Sequence, residues 1–216
     1  MKIYAFDMPY TLQNTAVKPI RNKEILINLL LEVVKVMTIE SYNNQLSNNH
    51  YKLILVIDKM SRLFFCLKDK IFTVNFPLKV KEKNDQLEFL YNGFVIDSYT
   101  SSLLISIFNK KDIINKGIEY LYEQVIEEFI SYELNDNNDT YYELINLFLS
   151  FEPGYLRYDL DKDHYVEGIH PLKHLDINYN DNNSFKIGIE DNVEIDINWM
   201  IDFVNIKTNC RFLENK

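Results

Sequence analysis

Glycine and cysteine are scarce in this 216-residue chain, and their scarcity excludes several common kinds of functional site. The five glycines form neither a Gly-x-Gly-x-x-Gly fingerprint nor a P-loop, so the usual phosphate-binding loops are missing. The two cysteines, Cys66 and Cys210, are far apart and form no Cys-x-x-Cys pair. This argues against a zinc knuckle or a disulfide scaffold and favours a reducing compartment. Gly-x-Ser-x-Gly and His-Glu-x-x-His are also missing, which removes two common hydrolase and protease signatures.

Positive charge is in short supply as well. Lys and Arg number 23 against 32 Asp and Glu, which gives a formal net charge of −9. A broad nucleic-acid surface needs many basic side chains, so only a local RNA or nucleotide contact is compatible with this balance. The longest apolar run, residues 25–37, is interrupted by charged residues and is too short to cross a bilayer. The first residues lack the apolar stretch of a signal peptide, so we expect a soluble, cytoplasmic protein with no membrane association.

The chain nevertheless has the composition of a folded domain, with 47% hydrophobic and 14% aromatic residues. Residues 1–20 show no sustained period and are interpreted as a lead-in arm. Asn22 then caps a helix from about Lys23 to Glu40 that is apolar nearly all round, which predicts a core helix. Four segments rich in β-branched and aromatic residues predict an antiparallel meander. They are Tyr51–Ile57, Arg62–Leu67, Ile71–Phe76 and Leu87–Ile96.

The middle of the chain has helical periodicity. A short helix over Thr100–Asn109 is predicted to be capped by Thr100 or Ser101, and a longer one is capped by Asp112 and runs to about residue 134. A capping box at Thr140–Glu143 predicts a third helix, which ends near Pro153. Four glutamates make part of the second helix acidic, which is typical either of a solvated face or of a surface for a basic partner. They are Glu119, Glu123, Glu127 and Glu128.

The last third returns to strands, predicted at Tyr155–Leu160, His174–Tyr179 and Phe185–Ile189, before a closing helix at about Asp196–Lys207. These strands are predicted to form a second sheet. The whole pattern predicts an α+β fold of antiparallel sheets packed against helices. We interpret residues 1–216 as a single domain, with a polar break at Asn135–Asp139 that defines halves 1–135 and 139–216.

Three of the four histidines lie between residues 164 and 174, which marks this segment as the candidate site. Strand alternation predicts that, if the last three strands pair, five polar side chains share one face of the sheet. These are Arg157, Asp159, His174, Asp176 and Lys186. His164, Glu167 and His170 would lie on the connecting loop at its edge. A solvated sheet face explains the same alternation. The clustering of histidines favours a functional site, because lysine or glutamate would be equally suitable on a face that is only exposed to solvent.

Two chemistries fit these residue types. A metal site would use His170, His174 and either Asp159 or Asp176, a donor set that suits zinc, manganese or iron. However, His-x3-His resembles a ligand pair only on a helix, and Pro171 argues against a helix here. A metal-free acid–base site would use His170 and His174 to move protons and Arg157 or Lys186 to hold a phosphate. The candidate catalytic residues are therefore His170, His174, Asp159, Arg157 and Asp176. No cofactor is predicted, with a divalent metal as the alternative.

Three motifs carry a family resemblance: Leu156-Arg-Tyr-Asp-Leu-Asp161, His170-Pro-x-x-His-Leu-x-Ile177 and Phe185-Lys-Ile-Gly-Ile189. Through them, residues 150–207 resemble the bacterial domain-of-unknown-function family 2290. The resemblance implies a site at Arg157, Asp159, His170 and His174, but it names no reaction. It also implies an accessory protein of mobile or defence loci. Two positions depart from the family pattern: Asp176 replaces a histidine or another polar residue, and Lys186 replaces an arginine.

Two functional hypotheses follow. The first is a nuclease-like or other phosphodiester hydrolase with a C-terminal His/Asp/Arg site. The second is a non-enzymatic binding module, such as an antitoxin, an inhibitor or a complex subunit, that uses the acidic helix at 112–134. The first requires His170 and His174 in a concavity within one hydrogen bond of Asp159 or Arg157. The second requires a contiguous exposed apolar patch, where a protein partner or a second copy in a homodimer would bind.

Overall fold

The structure is a computed structural model that describes residues 1–43, 45, 50–133, 138–179 and 184–212. The predicted α+β class is confirmed, because antiparallel sheets and helices make up the described chain. The strands are β1 (Lys2–Asp7), β2 (Lys52–Ile57), β3 (Ser61–Cys66), β4 (Lys70–Asn75), β5 (Lys79–Lys83), β6 (Gln86–Tyr91), β7 (Phe94–Val95), β8 (Leu156–Leu160), β9 (Lys173–Ile177) and β10 (Phe185–Gly188). The helices are α1 (Tyr10–Ala16), α2 (Lys23–Ile39), α3 (Ser98–Phe108), α4 (Ile118–Ser131), α5 (Asn138–Ser150) and α6 (Ile197–Val204).

The chain forms two compact units, and each is discontinuous in sequence. The first unit comprises residues 1–7, 44–75 and 154–216, and the second comprises residues 8–43 and 76–153. The assignment of one domain with halves at 1–135 and 139–216 stays a prediction. Most of the polar break that separates those halves lies outside the described residues, and its last two residues, Asn138 and Asp139, belong to α5. No helix in the described ranges combines the length and apolarity that crossing a membrane requires.

The first unit is a seven-stranded antiparallel sheet in the order β1-β2-β3-β4-β8-β9-β10, together with α6. One face of this sheet is mostly apolar and forms a core with α6, although it also carries the buried polar residues Arg62 and Thr73. The core includes Ala5, Ile54, Val56, Phe64, Cys66, Ile71, Leu156, Tyr158, Leu175, Ile197, Met200 and Ile201. Helix α6 begins at its N-cap residue Asp196, whose side chain accepts a hydrogen bond from the Trp199 backbone N–H at 2.8 Å.

The opposite face of the same sheet changes character across its width. Over the middle of β2, β3 and β4 it is apolar and buried, with Leu55, Leu63 and Val74 among its residues. Phe65 and Phe72 stack there with ring centroids 4.3 Å apart. Over β8, β9 and β10 the same face carries charged side chains. This change places the predicted site residues at one end of the sheet.

The second unit holds the three-stranded sheet β5-β6-β7 and helices α1 to α5. The predicted core helix is confirmed as α2, which begins at the cap residue Asn22. Its buried positions occur around most of its circumference and are Leu26, Ile27, Leu29, Leu30, Leu31, Val33, Val34 and Met37. A two-residue turn at Asn92 and Gly93 connects β6 to β7. Both residues have positive φ, at 48° and 87°, as the favoured two-residue hairpin turn requires.

Several boundary predictions are wrong. The lead-in arm contains β1, which pairs with β2 and buries Tyr4 and Phe6, and also α1. Helix α3 is capped by Asp97, not by Thr100 or Ser101. Asp112 has a φ of 57°, which does not fit a helix start, so α4 begins later, after Gly117.

Sheet membership also differs from the prediction. The strands expected to form one meander are divided between two sheets, and β5 was not predicted. The C-terminal strands do not form a sheet of their own. Instead, β8 pairs with β4 and extends the sheet that begins with β1.

Candidate functional site

Strand pairing brings together the five polar side chains that alternation predicts on one face. Strands β8 and β9 pair antiparallel, with Arg157 opposite Asp176 and Asp159 opposite His174. Strand β10 pairs with β9 so that Lys186 also lies opposite Asp176. Residues directly opposite each other in antiparallel strands point to the same side of a sheet. The predicted shared face is therefore confirmed.

Arg157 connects two carboxylates into what we call the buried cluster, made of Arg157, Asp159, His174 and Asp176. Its Nε donates to Asp159 Oδ2 at 2.6 Å, and its Nη2 donates to Asp176 Oδ2. Burial works against the charged form of Asp159, but a hydrogen bond with His174 and the charge of Arg157 outweigh it and lower the pKa of this carboxyl. Asp159 is therefore ionised at neutral pH.

His174 is the centre of the buried cluster, and only 1% of its side chain is exposed. Its Nδ1 lies 3.0 Å from the Pro171 carbonyl oxygen, to which it donates. Its Nε2 lies 3.5 Å from Asp159 Oδ2 and 3.8 Å from Asp176 Oδ2. Burial lowers the pKa of His174, but the hydrogen bond with Asp159, the Pro171 carbonyl and the charge of Asp176 together raise it above its ordinary value. His174 can hold a proton in this position, but it is too deeply buried to touch a substrate.

Lys70 is a further member of this face that sequence reasoning missed. It lies opposite Asp159 in the β4–β8 pairing. Burial and then the charge of Arg157 lower the pKa of Lys70 to about 8, although Asp159 acts in the opposite sense. No local pattern could have revealed this neighbour, because β4 and β8 are far apart in sequence. Lys70 adds a cation whose charge changes close to neutral pH.

His170 lies at the accessible edge of the buried cluster, with 22% of its side chain exposed. Its ring packs edge-on against His174, with centroids 4.8 Å apart. The Lys186 ammonium lies 2.5 Å from His170 Nε2, which accepts from it in the tautomer that carries its proton on Nδ1. His170 Nδ1 is buried and has no hydrogen-bond partner among the described residues.

His164 stands beside His170 and is held by Asp161. Nδ1 of His164 lies 3.0 Å and 3.1 Å from the two Asp161 carboxylate oxygens, and its backbone N–H donates to Asp161 as well. These contacts outweigh partial burial and lower the pKa of Asp161. The His164 and His170 rings are 6.3 Å apart, and 76% of the His164 side chain is exposed. We call Asp161, His164, His170 and Lys186 the histidine edge.

The histidine edge differs from the predicted site in its membership. Sequence reasoning placed His164 on the loop but chose His174 as the partner of His170. Asp161 was named only as the last residue of the motif that begins at Leu156. The Asp-x-x-His spacing of Asp161 and His164 was the available signal, because an aspartate readily accepts hydrogen bonds from residues two or three positions later.

Asp159, His174 and Asp176 could hold a metal ion, since one ligand atom from each lies within 4.8 Å of the others. Asp176 Oδ1 is also buried and has no hydrogen-bond partner in the described chain. However, Arg157 donates to the same two oxygens, Oδ2 of Asp159 and of Asp176, that face His174 Nε2. The guanidinium already supplies positive charge there, and the raised pKa of His174 favours a proton at Nε2. The donor set therefore fits a metal ion only in competition with these two charges.

The expected concavity is present only in part. The distance condition is met by His174, whose Nε2 lies 3.5 Å from Asp159 Oδ2, but not by His170, whose Nε2 faces Lys186 and lies 3.9 Å from Asp161 Oδ2. A cavity of about 480 Å³ lies beside the histidine edge, but its walls do not include His170 or His174. It is lined by Tyr165, Gly168, Pro171, Leu172, Ile189, Glu190, Asp191 and Asn192.

Comparisons with family models, with curated proteins and with solved structures find no match. The resemblance to the bacterial domain-of-unknown-function family 2290 therefore stays a prediction. Any functional conclusion has to come from the geometry of the buried cluster and the histidine edge.

Proposed function

We propose that this chain cleaves phosphodiester bonds at the histidine edge. The observation that carries the proposal is the pair of accessible imidazoles, His164 and His170, with ring centroids 6.3 Å apart and Lys186 Nζ 2.5 Å from His170 Nε2. Two imidazoles and an ammonium group supply a base, an acid and a phosphate ligand, which are the groups that this reaction needs.

Each residue has a distinct task in the proposed reaction. Lys186 binds a non-bridging phosphate oxygen, which releases His170 Nε2 from its contact with the ammonium. His170 Nε2 then takes a proton from the attacking water or ribose hydroxyl as a new P–O bond forms. The bond from phosphorus to the leaving oxygen breaks, and that oxygen takes a proton from His164 Nε2. Asp161 accepts from His164 Nδ1 and so leaves Nε2 of this ring for the proton transfer.

The buried cluster positions these groups without touching the substrate. The ring contact between His174 and His170 fixes the orientation of the catalytic imidazole. Arg157 and protonated His174 together balance the charges of Asp159 and Asp176, so the positive charge of Lys186 remains available to a phosphate. The sequence suggested that all four residues of the buried cluster are catalytic. In this proposal they are positioning residues: His174, Asp159, Arg157 and Asp176.

The test is a cleavage assay on bis(p-nitrophenyl) phosphate and on a labelled dinucleotide. We expect His170→Gln to lower kcat by about 100-fold or more, the usual contribution of a general base. Lys186→Gln should mainly raise KM, and His164→Gln should affect the dinucleotide more, because its leaving group needs a proton. His50→Gln, the matched substitution at the histidine outside the site, should have wild-type activity. Melting temperatures should stay within a few degrees for all four variants.

Two results would contradict the proposal. One is a purified wild-type chain that cleaves neither substrate between about pH 5 and about pH 8, the range in which histidine titrates. The other is activity that survives in the His164→Gln/His170→Gln double variant. A parallel assay with EDTA tests the alternative of a metal-dependent reaction. The rate of a reaction that uses only histidines and lysine should be unchanged by the chelator.

A further inference from the structure

Helix α4 has two apolar stripes that face in different directions. Leu121, Val125 and Phe129 are buried and attach the helix to its unit. A second stripe is exposed to solvent, with side chains between 40% and 73% exposed. It consists of Ile118, Tyr122, Ile126 and Ile130. Residues four positions apart are neighbours on a helix, so the exposed stripe is continuous along the whole length of α4.

An acidic row runs beside the exposed stripe. Glu119, Glu123 and Glu127 each follow a stripe residue directly in sequence, and all three are exposed. Glu128 is not part of this row, because it is engaged with Lys110 and Ser106 on another side of the helix. The stripe and the row together form a surface that is apolar along its centre and negatively charged along one flank.

Tyr122 gives this surface a fixed anchor. Its ring packs edge-on against Tyr142 of α5, with centroids 5.4 Å apart, so the exposed side chain is held in one orientation. Tyrosines that are held in place contribute much to binding because little conformational entropy is lost when a partner contacts them. A solvated helix face would not need three isoleucines and a tyrosine at four-residue intervals.

We propose that the exposed stripe of α4 and its acidic row bind a cationic amphipathic helix of another protein. The apolar face of that helix would pack along Ile118, Tyr122, Ile126 and Ile130, and its lysine or arginine flank would pair with the glutamates. Amphipathic helices bind apolar grooves and stripes through anchors at three- and four-residue intervals. Charge complementarity identifies the partner as basic.

A second copy of this chain fits the surface less well. In a two-fold antiparallel pairing of α4 helices, each acidic row would lie against its own copy, and like charges in contact are destabilising. The formal net charge of −9 adds repulsion between two copies as a whole. A basic partner is attracted by the same charges.

The test uses two synthetic helical peptides with identical leucine stripes, one flanked by lysines and one by glutamates. Binding to the full chain is followed by fluorescence anisotropy. We expect the lysine peptide to bind at least about tenfold more tightly than the glutamate peptide. Ile126→Gln/Ile130→Gln and Glu123→Gln/Glu127→Gln should each weaken binding of the lysine peptide by about tenfold.

Matched control variants distinguish binding at this surface from non-specific binding elsewhere on the chain. Ile39→Gln/Ile206→Gln removes two equally exposed isoleucines elsewhere, and Glu40→Gln/Glu194→Gln removes two exposed glutamates elsewhere. Both controls should bind as wild type does. The proposal is overturned if the lysine peptide does not bind, or if control and α4 variants weaken binding equally. It is also overturned if light scattering shows a wild-type dimer that Ile126→Gln/Ile130→Gln converts to monomer.

Discussion

His170 and His174 show how the surroundings of a residue decide what it can do. The two imidazoles are in ring contact, yet His174 is enclosed by Asp159, Asp176 and the Pro171 carbonyl, while His170 faces Lys186 at the accessible edge. The carboxylates and the carbonyl around His174 raise its pKa, and only 1% of its side chain is exposed, which suits it to a structural role. His170 has 22% of its side chain exposed and an ammonium group at its Nε2, so its position at the edge suits it to contact with a substrate.

The charge on His174 predicts a pH dependence of stability. The pKa of His174 is raised above 6.5 in the folded chain, so the folded chain holds this proton more tightly than the unfolded chain does. The resulting stabilisation is fully present below about pH 6.5 and is lost as the pH rises through the raised pKa. We expect the free energy of unfolding, measured by urea denaturation, to decrease from about pH 6 towards about pH 8.

His174→Gln should remove most of this pH dependence and lower stability at about pH 6 by roughly 2 kcal/mol, because buried carboxylate oxygens lose their partner. His50→Gln should keep the wild-type slope. The comparison stops near pH 8, because Lys70 has a pKa lowered to about 8 and its deprotonation increases stability at higher pH. An unchanged slope in His174→Gln would show that another group titrates.

At the scale of strands and helices, the sequence predicted most of the features that depend only on residues close together in the chain. Side chains alternate along every strand, so the shared face of Arg157, Asp159, His174 and Asp176 followed once β8 and β9 were identified. Alternation does not reveal depth, however. The sequence places His174 on a strand and His164 on the loop, but the burial of His174 depends on the strands and loop packed around it.

The errors in the predicted elements have the same origin. Strand β1 has a short apolar segment without a long period, and its pairing with β2, some distance along the chain, makes it a strand. Lys70 enters the site only through the pairing of β4 with β8. Pairing between distant strands depends on the whole fold, so a single sequence contains little direct signal for it.

On helix α6, the stability contributed by an N-cap can be compared with the stability contributed by a surface ion pair. Asp196 accepts from the Trp199 backbone N–H at 2.8 Å, and α6 carries Ile197, Met200 and Ile201 into the core of the first unit. Asp196→Ala should lower the free energy of unfolding by about 1 kcal/mol, the usual cost of losing an N-cap, while Asp196→Asn should retain most of it. Urea denaturation followed by Trp199 fluorescence measures the difference.

Asp202 provides the control on the same helix. It pairs with Arg211 at the surface at 2.6 Å, and exposed ion pairs contribute between about 0 and 1 kcal/mol. Asp202→Ala should therefore cost less than Asp196→Ala. Equal losses in both variants would mean that the cap does not hold the start of α6.

At the scale of the whole molecule, two charge distributions act on a phosphate substrate in opposite senses. The chain as a whole is acidic, with a formal net charge of −9, while Lys186, Arg157 and Lys70 share one face of the first unit. A single phosphate at the histidine edge is attracted by Lys186 over a short distance. The additional phosphates of a long nucleic acid meet the net negative charge of the chain and are repelled.

This contrast predicts opposite salt effects for short and long substrates of the proposed reaction. Since salt screens charges beyond about 10 Å at 0.1 M, raising the ionic strength should lower kcat/KM for a dinucleotide, whose attraction to Lys186 weakens. The same change should raise kcat/KM for a single-stranded oligonucleotide of about 20 residues, because the repulsion by the rest of the surface is screened. Steady-state rates for both substrates at about 20 mM and about 200 mM salt measure the two slopes. If kcat/KM falls steeply with salt for both substrates, the chain binds nucleic acid through an extended basic surface. Our inference that its net negative charge disfavours long substrates would then be wrong.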